Sequence, residues 1–308
     1  MATAFVTGGS GFIGRALVRR LVSEGVATRV LVRSDEAADR VRNLGAEPVH
    51  GELTDASSWR EYLVGSDVLF HLAAETDVFA PADRHREVTV GGTSAAIAAA
   101  QYARVARFVL CGSESANLAG PPLIEADETV PLRPDSEAAY CAAKADAELL
   151  VVAANSSTLN TVVIRPRFVW GPESILIANL VGAAATGQLA WIQGGQHTTD
   201  VTYVDNAVEG LMLGWRRGTP GEAYFITDQH RVILRDFLQQ QFDIHSMTAS
   251  LPDLDLATAE EAVPVPVRWF LGQECTLNTD KAKAQLGYAP PVSHEAGMQA
   301  VRGSLAEV

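Results

Sequence analysis

An eight-residue segment near the N-terminus constrains the fold most: Thr7-Gly8-Gly9-Ser10-Gly11-Phe12-Ile13-Gly14. It lies between a short apolar run and an amphipathic segment. Glycines 8, 11 and 14 permit a tight turn and let a phosphate approach the positive end of the following helix dipole. The same residues match G-x-G-x-x-G from Gly9, so spacing does not settle which glycine has which role. The segment predicts a strand, loop and helix that bind a dinucleotide pyrophosphate through Thr7, Gly8, Gly11, Phe12, Ile13 and Gly14.

The rest of the first half alternates short apolar runs with longer amphipathic segments, which is typical of a parallel sheet covered by helices on both faces. The predicted strands are Ala4 to Thr7, Thr28 to Val32, Glu47 to His50, Val68 to Leu72, Arg107 to Cys111 and Thr161 to Arg165. The predicted helices are Gly11 to Glu24, Ala82 to Arg104 and Ser136 to Ala154. Gly25 lies where a left-handed cap would end the first helix.

After Arg165 the pattern is less regular. We predict helices at Ser174 to Thr186, Val204 to Trp215, Val232 to Gln241, Lys281 to Leu286 and Ala296 to Leu305, and a strand at Ala223 to Thr227. The segment from Asp243 to Pro266 shows little periodicity and is expected to be a loop or irregular lid.

These elements predict an α/β fold, with a doubly wound parallel sheet (Rossmann fold) and a smaller C-terminal substrate lobe. Residues 1–170 would form the dinucleotide-binding lobe, and 199–228 would return to it. Residues 171–198 and 229–308 would form the substrate-binding lobe.

Composition excludes several kinds of partner. The formal net charge is -13, and Lys and Arg are not clustered. A nucleic acid is therefore not expected as a partner. Cys111, Cys141 and Cys275 lack the spacing of a disulfide framework or zinc site, and no metal is expected. The early first strand leaves no room for a signal peptide, and no apolar run approaches the roughly 20 residues of a membrane span. We therefore expect a cytoplasmic protein whose partner is a small molecule.

Four further residues suggest chemistry beside a dinucleotide. Tyr140 and Lys144 are four residues apart on a predicted helix and so share a face. A nearby ammonium stabilises a phenolate and lowers its pKa, which would make Tyr140 an acid or base. Ser113 follows a buried apolar strand, where its hydroxyl could hydrogen-bond a substrate oxygen. Arg33 ends the second strand, where a guanidinium suits the 2′-phosphate of NADP(H) better than NAD(H).

Together these residues resemble an extended short-chain dehydrogenase/reductase, of the epimerase/dehydratase superfamily. Within that family, the sequence most resembles the subgroup of enzymes that are similar to 3β-hydroxysteroid dehydrogenases and dihydroflavonol reductases. Besides the glycine loop, the resemblance rests on these segments: Gly51-Glu52-Leu53-Thr54-Asp55, Phe70-His71-Leu72-Ala73-Ala74, Arg165-Pro166-Arg167-Phe168-Val169-Trp170-Gly171-Pro172 and Tyr203-Val204-Asp205-Asn206. Glu52, Thr89 and Cys111-Gly112 depart from the usual pattern of that family.

The resemblance implies a set of roles. Tyr140 would be the general acid/base, Lys144 would lower its pKa and hold the nicotinamide ribose, and Ser113 would orient the carbonyl. The remaining cofactor contacts implied are Leu72, Ala73 and Ala74 behind the cofactor, Glu52 and Leu53 near adenine, and Pro166 to Phe168 near the nicotinamide. Related enzymes often form dimers, so the alanine-rich helices at 82–104 and 136–154 are expected to pack against their copies in a homodimer.

The leading hypothesis is an oxidoreductase that transfers a hydride between NADP(H) and a ketone or secondary alcohol of a small, partly apolar metabolite. Trp170, Trp191, Phe225 and Trp269 could line its site, although a position in the core is favoured for any one of them. A nucleotide-sugar epimerase or dehydratase shares the fold and the three reactive residues. Such enzymes carry an arginine where the segment Thr199-Asp200-Val201-Thr202 has threonine, and few basic residues follow here. A non-catalytic dinucleotide sensor is the third hypothesis.

Overall fold

The computed structural model describes residues 2–248 and 250–306. The predicted lobe ranges also include Met1, Ala249, Glu307 and Val308, which lie outside the described residues. The strands are β1 (Thr3–Thr7), β2 (Ala27–Val32), β3 (Glu47–His50), β4 (Val68–His71), β5 (Arg107–Cys111), β6 (Leu123–Ala126), β7 (Asn160–Pro166), β8 (Val169–Trp170), β9 (Trp191–Ile192), β10 (Thr198–Thr199), β11 (Thr202–Tyr203), β12 (Ala223–Ile226), β13 (Val232–Ile233), β14 (Asp253–Leu254) and β15 (Cys275–Leu277).

The helices range from single turns to 15 residues. They are α1 (Phe12–Ser23), α2 (Asp35–Asn43), α3 (Ala82–His85), α4 (Gly92–Ala103), α5 (Ala139–Ala153), α6 (Ile175–Ala185), α7 (Val204–Arg217), α8 (Leu234–Ile244), α9 (Leu256–Ala262), α10 (Val265–Leu271) and α11 (His294–Ala306). In the described part of the chain, no helix is long and apolar enough to cross a bilayer.

The largest sheet contains seven parallel strands in the order β3-β2-β1-β4-β5-β7-β12. Thr7 at the end of β1 pairs with Leu31 on one side and His71 on the other, so the carboxyl ends of the central strands form one edge. The strand order reverses beside β1, where open sheets of this kind bind ligands. The doubly wound parallel sheet is thus confirmed.

Alternation along β1 explains why both faces of the sheet are covered. Ala4 and Val6 belong to one core with Leu17 of α1 and Leu211 of α7, whereas Phe5 points into the opposite core beneath α4. Successive side chains of a strand point to opposite faces, so an uninterrupted apolar run is buried on both.

The predicted helices of the first half need two corrections. The helix from Ala82 to Arg104 is interrupted, because α3 continues into a π-helical turn at Arg86–Gly91 before α4 begins. The helix predicted from Ser136 begins at Ala139. α1 ends as predicted, since Gly25 is left-handed with φ +74°.

The second half is more ordered than the sequence pattern indicates. The prediction of an irregular segment from Asp243 to Pro266 is wrong, since the segment contains β14, α9 and the start of α10. The Asp255 side chain caps α9 by accepting a hydrogen bond from the Thr258 backbone N–H. The helix predicted from Val232 begins at Leu234, and the one from Lys281 is a π-helical turn at Ala282–Leu286.

A smaller sheet in the order β13-β10-β15-β6 joins the segment after β5 to the C-terminal half. β12 extends the main sheet, and α7 packs against α1 and β7. The division of the chain into two lobes at the stated boundaries stays a prediction.

Candidate active site

Two glycines of the first loop are required by close backbone packing. Gly8 has φ +73°, and a Cβ there would lie 2.7 Å from the Ala73 backbone nitrogen. A Cβ on Gly14 would lie 2.1 Å from the Gly8 carbonyl oxygen. Gly11 is the exposed N-cap residue of α1, whose first turn has no acidic side chain. Gly8 and Gly14 thus close the loop, and Gly11 lies where an anion would meet the helix N-terminus.

A hydrogen-bonded chain beneath this loop joins Thr7 to His71. The Thr93 Oγ1 hydroxyl donates to the Thr89 carbonyl oxygen at 2.7 Å, so it accepts from His71 Nε2 at 3.0 Å. His71 Nδ1 therefore accepts from Thr7 Oγ1 at 2.7 Å, and Thr7 Oγ1 accepts the Ala73 N–H at 3.4 Å. Burial lowers the pKa of His71 to about 3, with the positive charge of Lys144 acting in the same direction. The imidazole is thus neutral and fixes the strand ends around the predicted pyrophosphate site.

The residues predicted around the adenosine differ in exposure. Arg33 directly follows β2, is exposed, and forms no ion pair or hydrogen bond with another described residue. The neighbouring Ser34 caps α2. Glu52 is exposed and its backbone is held by Ser58 and Trp59, whereas Leu53 is buried. Arg33 is therefore the cation free to meet a phosphate at this end.

The other predicted cofactor contacts lie along the same edge. Phe12, Ile13, Leu72, Ala73 and Ala74 are half-buried. Pro166 is buried at the end of β7. The ring of Phe168 packs on Phe237 and Phe270, with centroid distances of 5.4 and 4.6 Å, so this side chain belongs to an aromatic cluster.

The three predicted reactive residues come from two adjacent elements. Ser113 follows β5 and begins a short helical turn, where its Oγ accepts the Ser115 N–H at 3.1 Å. Tyr140 is the second residue of α5, and Lys144 follows one turn later with Nζ 5.8 Å from the centre of the tyrosine ring. Both are half-buried.

Electrostatics at Tyr140 differ from the expectation. Burial raises its pKa, and the negative charge of Glu114 raises it further, whereas a hydrogen bond donated by Ser113 acts in the opposite direction. The expected net lowering by Lys144 is therefore wrong for this structure, because burial and Glu114 dominate. Burial also lowers the pKa of Lys144, while Cys111 and Glu114 oppose that change. Tyr140 is a protonated phenol at neutral pH, suited to donate a proton.

Sequence reasoning missed Glu114, which forms a buried ion pair with Arg167 next to Ser113. Arg167 Nη1 lies 2.6 Å from Glu114 Oε1, and Ser113 Oγ donates to Glu114 Oε2 at 2.8 Å. Glu114 directly follows Ser113, so an acidic residue beside the predicted hydroxyl was the available signal. Nothing in the spacing of 53 residues links it to Arg167.

His85 is a second residue that the sequence did not indicate. It is buried, its ring lies edge-on to that of Tyr140 at 5.8 Å, and neither ring nitrogen has a hydrogen-bond partner among the described residues. Burial lowers the pKa of His85, and the carboxylates of Glu75 and Asp77 oppose this. A neutral imidazole therefore adjoins the tyrosine.

Four aromatic candidates for the substrate site are core residues. Trp170, Trp191, Phe225 and Trp269 are all buried, and the Trp170 indole N–H donates to Asp228 at 2.8 Å. Cys111, Cys141 and Cys275 are buried, and none forms a disulfide within the described residues. No group of His, Cys, Asp and Glu suited to a metal occurs in residues 2–248 and 250–306.

The residues of the site match the parts of a nicotinamide dinucleotide. A cradle closed by Gly8 and Gly14 lies at an uncapped helix N-terminus, an unpaired cation lies at one end, and the tyrosine and lysine lie at the other. Fold and site define an extended short-chain dehydrogenase/reductase, an NAD(P)-dependent oxidoreductase.

Comparison with known proteins gives the family. Residues 5–252 match the model of the 3-beta hydroxysteroid dehydrogenase/isomerase family, and the chain belongs to that family. A Stigmatella aurantiaca 4-hydroxy-2-methyl-3-oxo-4-farnesyl-3,4-dihydroquinoline-1-oxide ketoreductase is 39% identical, over 97% of this chain and 95% of the relative. A Stenotrophomonas maltophilia 2-alkyl-3-oxoalkanoate reductase is 31% identical, over 98% of each chain. A Thermotoga maritima UDP-glucose 4-epimerase structure, 20% identical, superposes with a TM-score of 0.82 over 99% of each chain and shows the shared fold.

Proposed function

We propose that the protein reduces a ketone of a small, partly apolar metabolite with NADPH, or oxidises the corresponding secondary alcohol. The observation that carries this proposal is the convergence of Ser113, Tyr140 and Lys144. Ser113 follows β5 at the carboxyl edge of the sheet whose first strand leads into the glycine loop. The names of two relatives describe 3-oxo substrates, one with a farnesyl and one with an alkyl substituent. A 3-oxo compound with such a substituent is therefore the proposed substrate class.

The nicotinamide supplies or accepts the hydride when bound. Tyr140 donates its phenolic proton to the substrate oxygen during reduction, and its raised pKa keeps that proton in place beforehand. The Lys144 ammonium, 5.8 Å from the ring centre, stabilises the phenolate that remains and is available to the ribose hydroxyls. Ser113 hydrogen-bonds Tyr140 and so fixes the orientation of the phenol.

Arg33 supports a preference for NADP(H). It directly follows β2, and its guanidinium is exposed and unpaired among the described residues. Two parallel N–H groups of a guanidinium match a phosphate, whereas NAD(H) would present only a ribose hydroxyl.

The basic residues of the C-terminal half argue against a sugar-nucleotide substrate. Each of the five between Glu173 and Cys275 already contacts a protein group: Arg216 with Glu24, Arg217 with Leu286, Arg231 with Glu125, Arg235 with Gly194 and Arg268 with Glu260. A diphosphate needs such cations unpaired. The retained tyrosine and lysine argue against a non-catalytic sensor.

Tyr140→Phe tests the assignment. We expect cofactor affinity to stay near the wild-type value and turnover to fall by about 100-fold or more, because the proton donor is lost. Reduction of ethyl 2-methyl-3-oxobutanoate and a panel of alkyl-substituted 3-oxo esters, followed by NADPH absorbance, measures it.

Tyr62→Phe is the matched control, because Tyr62 is exposed and distant in sequence from the site. It should leave turnover unchanged. Normal turnover by Tyr140→Phe would refute the role of this tyrosine, and an inactive wild type across the panel would count against the substrate class.

A further inference from the structure

Glu114 is a fully buried carboxylate that the Ser-Tyr-Lys chemistry does not itself require. Three side chains surround it. Ser113 donates to its Oε2 at 2.8 Å, Ser115 donates to its Oε1 at 3.3 Å, and Arg167 Nη1 lies 2.6 Å from Oε1. A buried ionised carboxylate is tolerated only with such partners.

The hydrogen bond from Ser113 decides which way this serine can act. A hydroxyl has one hydrogen, and here that hydrogen is directed at Glu114. The Ser113 oxygen accepts the Ser115 N–H at 3.1 Å. The same side chain hydrogen-bonds Tyr140, and with its hydrogen on Glu114 it meets the tyrosine as an acceptor. In the resting site Ser113 can thus accept a hydrogen bond from the Tyr140 hydroxyl but cannot donate one.

Arg167 makes this arrangement reversible. Its guanidinium is fully buried, its Nη2 lies 3.3 Å from Thr199 Oγ1, and its charged group lies 4.9 Å from the centre of the Phe270 ring. The ion pair leaves Glu114 with two partners when Ser113 turns away. The serine hydrogen can therefore leave the carboxylate without leaving a buried charge unpaired.

We propose that Glu114 is a positioning residue that holds the hydroxyl hydrogen of Ser113 away from Tyr140 and releases it to the phenolate once Tyr140 has given up its proton. This inference rests on the proposed function, in which Tyr140 is the proton donor. The proton passes from the Tyr140 oxygen to the substrate oxygen. The hydroxyl of Ser113 rotates, with no bond made or broken there, and Arg167 retains Glu114.

Electrostatics around Tyr140 agree with both positions of the serine. The charge of Glu114 raises the pKa of Tyr140, which favours the protonated resting phenol. A hydrogen bond donated by Ser113 lowers that pKa, which favours the phenolate that remains after proton transfer.

Glu114→Gln reverses the direction of the hydrogen bond between residue 114 and Ser113. A glutamine can accept from Arg167 through its carbonyl oxygen and donate to Ser113 through its amide, so the serine hydrogen turns to Tyr140 in the resting site. In cofactor-free protein, tyrosine ζ-carbon NMR should show the Tyr140 signal, assigned with Tyr140→Phe, displaced in Glu114→Gln. Ser113→Ala should also displace it, and in that background Glu114→Gln should have a much smaller effect.

Two variants serve as controls for the same carboxylate. Ser115→Ala removes a hydrogen bond to Glu114 Oε1, the oxygen that Ser113 does not contact, and should leave the Tyr140 signal in place. Glu114→Asp retains the charge and should restore most of the wild-type signal.

The pH profile gives a second readout. In oxidation of ethyl 3-hydroxy-2-methylbutanoate with NADP⁺, the rate rises with pH as Tyr140 ionises, and this limb of the pH–rate profile should move to lower pH in Glu114→Gln. In the reductive direction, kcat of the same variant should fall by about tenfold. Arg167→Lys, which weakens the ion pair, should move the limb to higher pH, and it tests the proposal even if Glu114→Gln does not fold.

The proposal would be overturned if Glu114→Gln changed neither the Tyr140 NMR signal nor the position of the Tyr140 limb in the pH–rate profile. Equal displacement with and without Ser113 would overturn it too, since Glu114 would then act by charge alone. Movement of the limb to lower pH in Arg167→Lys would also overturn it. Absence of turnover in the wild type would count against the proposed function only, because the NMR comparison needs no substrate.

Discussion

Arg33 gives a residue-scale prediction for cofactor choice. Arg33→Asp should weaken NADPH binding by about tenfold or more, because a charge-assisted hydrogen bond to phosphate is lost and repulsion replaces it. NADH binding should hold or improve, since aspartate accepts hydrogen bonds from ribose hydroxyls. Fluorescence titration of both cofactors measures the preference.

Arg40→Asp controls for the general change in charge. Arg40 is an exposed residue of the neighbouring helix α2 and pairs with Glu36. Its replacement should weaken both cofactors little and alike. An unchanged preference in Arg33→Asp would remove this residue from cofactor recognition.

At the residue scale, the sequence predicted groups whose partners are close in the chain. Tyr140 and Lys144 share a helical face, and Ser113 ends a buried strand, so local spacing was enough to select them. Arg167 was not predictable as a partner of Glu114, because only the parallel pairing of β5 with β7 brings residues 114 and 167 together. The unpartnered imidazole of His85 was also beyond prediction, since burial depends on the complete fold.

Hydrogen bonds of His71 join three elements, β1, β4 and α4, and make their packing sensitive to acid. The folded-state pKa is about 3, well below the ordinary value of 6.5. Unfolded protein therefore binds a proton first, so this contribution to stability is complete above pH 6.5 and is lost as pH falls toward 3. Asp228 opposes part of this loss, because burial raises its pKa to about 6.

We expect the free energy of unfolding to fall on acidification below pH 6.5, with His71 contributing up to about 1.4 kcal/mol per pH unit. Urea unfolding at several pH values measures this slope. His71→Gln should be less stable at neutral pH and show a shallower slope between pH 6 and 4.5. Equal slopes in the two proteins would contradict the role of His71.

Elements were predictable where each segment carries its own periodicity. The strands of the main sheet and α1 have that property. β10 and β15 do not, since each has only two or three residues and exists through long-range pairing such as Thr199 with Cys275. The π-helical turn at Arg86–Gly91 is a similar case, because it breaks a run that reads as continuous helix.

At the scale of the whole molecule, α4 and α5 offer an apolar surface for a second copy of the chain. The two helices pack side by side, and Tyr102 of α4 and Leu149, Leu150 and Val152 of α5 are exposed large apolar residues. Exposed apolar side chains on neighbouring helices are typical of protein interfaces, and a symmetric dimer would cover them with the same helices of its copy. We propose a homodimer through these helices.

The wild-type protein should therefore sediment as a dimer at micromolar concentration. The double variant Leu149→Glu, Val152→Glu should sediment as a monomer, because four like charges would face one another in a buried interface. Ile175→Glu is the control, since Ile175 is 63% exposed but lies on α6. That variant should remain dimeric. A wild type that sediments as a monomer would refute the homodimer. If all three proteins sediment as dimers, the interface lies elsewhere on the molecule.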